Sequence, residues 1–169
     1  MKMRTRKNTI LLIAMMLLVS LLLVACGQEK KSEAPEAPAN PMQYIKVGDL
    51  KTDMEGDGKY LILDVRKDED FQKSHLKGSF GSDMDKANKE GDKEDGIAKM
   101  KATLKEATGS ETGKDDTKVV LVCYSGKTYA QAATDALAAI GFNKDNVYTL
   151  EGGMKEWEAG GEEYKALME

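Results

Sequence analysis

The chain has 169 residues and a formal charge of −4, unevenly distributed. Residues 1–25 carry four basic side chains (Lys2, Arg4, Arg6, Lys7) and no acidic one, so from Cys26 onward 21 basic residues face 29 acidic ones, a formal −8. An acidic chain with no basic stripe is a poor partner for nucleic acid. Two cysteines exclude a disulfide scaffold and a multi-thiolate zinc site, and one histidine excludes a histidine-rich metal site.

After the basic start, Ile10 to Ala25 is an apolar run of 16 residues broken only by Ser20. A membrane-spanning helix wants about 20 such residues, so the run fits a secretory signal over 1–25 better than a span. Leu23-Val24-Ala25-Cys26-Gly27 resembles the bacterial lipobox, in which the cysteine thiol takes a diacylglycerol thioether and becomes the new amino terminus. The expectation is a lipid-anchored protein on the extracytoplasmic face of the cell membrane, with the bilayer as partner through Cys26. An uncleaved signal anchor is the alternative. All three prolines (Pro35, Pro38, Pro41) lie between Cys26 and Met42, and Gly27 to Pro41 has no large apolar residue. Residues 26–42 therefore read as a disordered or partly extended linker. Residues 43–169, about 127 in number, have the size of one globular domain.

In chain order, Gln43–Val47 reads as an edge strand, and Gly48–Glu55 as a brief helix with Leu50 and Met54 on one face. Gly56-Asp57-Gly58 is a turn. Tyr60–Leu63 is a continuous apolar run, the mark of a strand buried on both faces. Lys67–Ser74 reads as a short helical turn carrying Phe71. From Asp83 to Asp116 the charges are dense, and the spacing of Ile97, Met100 and Leu104 predicts one amphipathic helix, Ile97–Ala107, among solvated loops. Val119–Val122 is a second central strand. Thr128–Ile140 is the clearest helix, with Ala130, Ala133, Leu137 and Ile140 at helical spacing and Gly141 as its stop. Asn146–Leu150 is a third strand, and Met154–Ala159 a last helix before Gly160-Gly161. This alternation predicts an α/β fold: a mostly parallel central sheet with helices on both faces.

Sites in such sheets form beyond the carboxyl ends of the strands, and here those ends meet Asp64, Cys123 and Glu151. Cys123 opens the run Cys123-Tyr124-Ser125-Gly126-Lys127-Thr128, which enters a helix directly. A glycine-containing loop at a helix start aims successive N–H groups at one point and stabilises an anion there, favouring the thiolate of a cysteine so placed. Lys127 adds a positive charge, and the Ser125 and Thr128 hydroxyls can donate. Asp64 and Glu151 oppose the thiolate, with Arg66 as their neutralising partner. The plainer alternative for Cys123 is a small core residue.

Four segments resemble the rhodanese-like sulfurtransferases: Leu63-Asp64-Val65-Arg66 with Glu69-Asp70-Phe71; His75-Leu76-Lys77-Gly78-Ser79; the Cys123–Thr128 loop; and Glu151-Gly152-Gly153-Met154 with Trp157. Together they span about 42–160. The resemblance implies a single rhodanese-like domain. In it Cys123 is catalytic and carries a sulfane sulfur as a persulfide, and Tyr124, Ser125, Gly126, Lys127 and Thr128 bind the small sulfur-containing anion that donates it. A thiol, cyanide or a partner protein accepts the sulfur, and no cofactor or metal is involved. Asp64, Arg66, His75 and Glu151 are expected as structural residues near the site, with Asp64 and Arg66 as an ion pair and Trp157 as a core anchor. A module that binds or senses sulfur, or docks a partner, is the alternative. Two departures stand out. Lys127 is the only cation in the loop, where the family has an arginine. Tyr129 occupies the sixth position after the cysteine, where the related phosphate-handling branch has its arginine, so a phosphate transition state would lack its main charge partner. No Cys-x-x-Cys exists for dithiol exchange.

Overall fold

The computed structural model describes residues 40–169; the predicted signal, Cys26 and the linker up to residue 39 lie outside them. Five strands form one sheet: β1 (Gln43–Ile45), β2 (Tyr60–Asp64), β3 (Phe80–Gly81), β4 (Lys118–Val122) and β5 (Val147–Leu150). Their order is β1-β5-β4-β2-β3 and every pairing is parallel. The helices are α1 (Val47–Glu55), α2 (Asp68–Lys73), α3 (Asp85–Lys89), α4 (Lys93–Thr108), α5 (Thr128–Ala139), α6 (Gly153–Ala159) and α7 (Glu162–Lys165), with a 3-10 turn at Lys144–Asn146. None of them is long and apolar enough to cross a membrane.

Strand alternation divides the core into two layers. Leu63, Val119, Leu121 and Val147 face α4 and α5, where they meet Met100, Leu104, Ala130, Ala133 and Leu137. Ile62, Val120, Val122 and Leu150 face the other way, onto Leu50 of α1 and Met154 and Trp157 of α6. Trp157 is fully buried, as the sequence predicts. Its indole N–H donates to the Tyr164 carbonyl (2.9 Å) and its ring meets that of Tyr164 edge to face.

Several expectations change. The amphipathic helix begins four residues earlier than predicted, because Asp92 caps it by accepting from the Asp95 N–H (3.1 Å). Gly96 sits inside it, where any side chain would press on Ala87 of α3: a Cβ there would lie 2.8 Å from the Ala87 Cβ. The strand predicted from Asn146 begins at Val147, and the helix predicted to Ile140 ends at Ala139. β3, α3 and α7 have no counterpart in the sequence reading. Residues 40–42, assigned to the linker, are fixed to the domain. Asn40 donates to Asp135 (2.9 Å) and accepts from Gln131 (2.9 Å), and Met42 packs on the core.

Candidate active site

β2 and β4 lie side by side, yet the chain leaves them in opposite directions: from β2 outward to β3, and from β4 to β5. Connections that diverge this way leave a crevice at the carboxyl edge, where ligands of open α/β sheets bind. Cys123, the one cysteine among the described residues, follows β4 at that point. The edge is held by the Val65 N–H donating to the Val122 carbonyl (2.8 Å).

The loop after Cys123 is shaped from the α6 side. Gly126 has φ +67°, and a Cβ there would lie 2.6 Å from the Leu150 carbonyl oxygen. Gly153 has φ +60°, and its Cβ would collide with the Cys123 carbonyl oxygen. Only glycine meets both demands, of conformation and of space. The N–H groups of Met154 and Lys155 then donate to the carbonyls of Cys123 (2.8 Å) and Tyr124 (3.2 Å). With the carbonyls turned to α6, the amides are left: none of the N–H groups from Tyr124 to Ala130 donates to an acceptor among the described residues. They run into the amino end of α5, whose dipole adds to them. Ser125 is half-buried, while Lys127 and Thr128 are exposed, and Lys127 forms no ion pair among the described residues. The arrangement offers a run of free N–H groups and an uncommitted cation, the kind of donors that suit an anion.

The outer side of the loop is held by two tyrosines. The Tyr124 hydroxyl donates to Asp70 of α2 (2.6 Å) and accepts from the Lys67 N–H (3.3 Å). The Tyr129 hydroxyl donates to Asp85 of α3. The rings meet edge to face, with centroids 5.1 Å apart. Burial first, and then the carboxylate bond, push both phenols above their ordinary value. In return the tyrosine bonds, followed by Lys73 and Lys89, hold Asp70 and Asp85 below theirs. Asp70 carries a signal in the sequence, within Glu69-Asp70-Phe71. Asp85 carries none, since nothing local links it to a tyrosine 44 positions away.

The predicted supporting residues divide. Asp64 pairs with Val122 in register, so alternation sends its side chain to the sheet face opposite that of Cys123. There Arg66 grips it through Nε (3.0 Å) and Nη2 (2.7 Å) and also donates to the Ser74 carbonyl (2.6 Å). Burial pulls the guanidinium down, but the bond to Asp64 and its charge outweigh that and carry it above its ordinary value. The structural ion pair is as predicted, and its carboxylate does not face the thiol. Glu151 is exposed, and only its backbone is engaged, donating to Ile45 (2.9 Å). Arg66 therefore neutralises Asp64 and not Glu151. His75 stacks on Phe71 (4.1 Å), bonds the Phe71 carbonyl through Nδ1 (2.8 Å) and lies 3.5 Å from Glu169 through Nε2. It lies in the α2 and 167–169 neighbourhood, outside the loop. Among the described residues no group of three or more His, Cys, Asp or Glu could hold a metal ion.

A parallel five-stranded sheet with a cysteine-headed amide nest at its topological switch defines the class of protein. The rhodanese-like domain model matches residues 46–160, more than half of the chain, and the protein belongs to that family. Solved structures of similar fold include the rhodanese-like domain of the Alr3790 protein from Anabaena sp., with a TM-score of 0.54 at 20% identity, covering 76% of this chain and 80% of that one. A human single-domain sulfurtransferase, TSTD1, gives 0.52 at 18% identity over 75% of this chain and all of the other. The BH2092 protein from Bacillus halodurans gives 0.50 at 18% identity, covering 70% and 72%. At such identities the likeness is one of fold. No curated protein sequence matches the chain.

Proposed function

We propose that the protein is a sulfurtransferase in which Cys123 carries the sulfur. The observation that carries this reading is the run of unengaged N–H groups from Tyr124 to Ala130, which directly follows the one cysteine among the described residues at the switch point of the sheet. In the first half-reaction the Cys123 thiolate attacks the outer sulfur of thiosulfate, or the sulfane sulfur of a polysulfide or persulfide. The donor's S–S bond breaks, its electron pair leaves with sulfite or a thiolate, and a cysteine persulfide forms. The loop amides and Lys127 balance the charge of donor and persulfide. In the second, a thiol, cyanide or a partner protein attacks the outer sulfur and the thiolate returns, giving ping-pong kinetics. These steps require no cofactor. We place the reaction at the extracytoplasmic face of the membrane, with Cys26 as the lipid anchor, on the sequence of residues 1–27.

A second reading is favoured by one feature: Cys123 is 1% exposed. A thiol so enclosed suits a module that holds or senses a sulfur species and turns over slowly. The two are separated by mass spectrometry of the Cys123 peptide after incubation of the full chain with thiosulfate or polysulfide. A gain of one sulfur, lost again on adding cyanide, supports transfer. No gain from either donor overturns it.

A further inference from the structure

We propose that Tyr124 and Tyr129 form a two-leaf gate over Cys123, latched by Asp70 and Asp85, and that its opening selects which sulfur donors reach the thiol. The part concerning donors rests on the sulfurtransferase reading; the gate itself does not. The Cys123 thiol makes no hydrogen bond among the described residues, is 1% exposed and belongs to the same buried cluster as Val65, Met84 and Ala130. On the α6 side the backbone of Gly153 comes so close to the loop that no Cβ fits there. Toward α2 and α3 the loop presents its two tyrosines, whose rings meet edge to face, with the Arg66 guanidinium 5.9 Å from the Tyr124 ring. Tyr129 is only partly buried and packs on the cluster that holds Cys123, and Tyr124 is its immediate chain neighbour. Each ring is carried by the loop or the first turn of α5, while its hydroxyl is anchored on a different element, α2 for one and α3 for the other.

The latches differ in kind from the bonds that hold the domain together. The side chains of Asp70 and Asp85 are 29% and 27% exposed, and each already has a lysine beside it: Lys73 at 3.0 Å and Lys89 at 2.9 Å. Water and these lysines receive the carboxylates when a tyrosine swings out, so little is lost on opening. The Asp64–Arg66 pair, 1% and 7% exposed, has no such exchange available and stays shut. One leaf turned outward admits a slender chain such as a persulfide or polysulfide. A broad, tetrahedral or aromatic group needs both.

The test is alkylation or disulfide exchange at Cys123 in the full chain, followed on its own peptide by mass spectrometry. Iodoacetamide is the slender reagent and 5,5′-dithiobis(2-nitrobenzoate) the broad one. The Tyr124→Phe/Tyr129→Phe protein keeps both rings and loses both latches, and its reaction with the broad reagent rises about tenfold, with a smaller gain for iodoacetamide. Asp70→Asn and Asp85→Asn, made singly, give the same order of preference and serve if the double variant does not fold. The proposal is overturned if the latch variants react within about twofold of the parent. Equal acceleration for both reagents with a lowered melting temperature also overturns it, since that is general loosening. Neither reagent transfers sulfane sulfur, so this outcome is independent of whether Cys123 gains sulfur from thiosulfate.

Discussion

The guanidinium of Arg66 is spent on structure, since it grips Asp64 along one edge and the Ser74 carbonyl with the same Nη2. On the transfer reading that leaves Lys127 as the loop's cation for an incoming anion, and the Asp64–Arg66 half of this division is the ion pair the sequence predicts. The sequence places Asp64, Arg66 and Cys123 at neighbouring strand ends. Whether a carboxylate faces the thiol depends on the parity of register, which a one-residue slip would invert. Replacing Arg66 by Met strands the buried Asp64 carboxylate, and we expect a loss of about 3–5 kcal/mol in urea unfolding, largely recovered when Asp64 is changed to Asn as well. Replacing Lys127 by Ala leaves the backbone nest intact. If the transfer reading holds, kcat/KM for thiosulfate falls about ten- to a hundred-fold, against complete loss in Cys123→Ser. An equal loss in both would mean that the lysine and not the nest carries the anion.

At the scale of elements, strong local patterns were readable and weak ones were not. β2 and β4 are continuous apolar runs, and α5 repeats alanine and leucine at helical spacing, so the sequence marks all three. α3 has five residues and no buried side chain of its own, and β3 has two; such pieces exist because neighbours hold them, and leave no periodic trace. Gly96 reads as a loop residue until Ala87 is seen against it, when it becomes the reason two helices can approach. The loop was legible as a run of free amides entering a helix, but its struts were not, because Tyr129 and Asp85 meet only in the fold. Those struts carry a pH signature. Asp70 and Asp85 are held below their ordinary value in the folded chain, so the stability they contribute is full above the unfolded carboxylate value of about 3.9 and is lost as pH falls through the depressed one. The melting-temperature gap between the parent and Tyr124→Phe/Tyr129→Phe is therefore expected to be steady from neutral pH down to about 5 and to narrow below about 4. A gap unchanged at low pH would mean that the ionised carboxylates are not what the tyrosines hold.

Over the whole molecule, long-range closure does what local pattern cannot announce. Residues 167–169 lie along 75–77, with Leu76 bridged antiparallel to Met168 and the backbone of His75 exchanging both bonds with Glu169 (2.8 and 2.9 Å). His75 is thereby part of a strap. The cell address is the other property that belongs to the chain as a whole, and it rests on residues 1–27. Lipidation predicts two acyl chains on one thioether-linked glycerol, and two chains hold a protein on a bilayer where one does not. Cys26→Ser removes the only thiol near the predicted cut, so the precursor should accumulate uncleaved and no mature lipidated protein should appear in the detergent phase. Cys123→Ser should leave both unchanged. If Cys26→Ser protein is still cut after Ala25 and fractionates like its parent, the anchor is not a lipid on that cysteine, and the apolar run of Ile10 to Ala25 must be read as an ordinary cleaved signal.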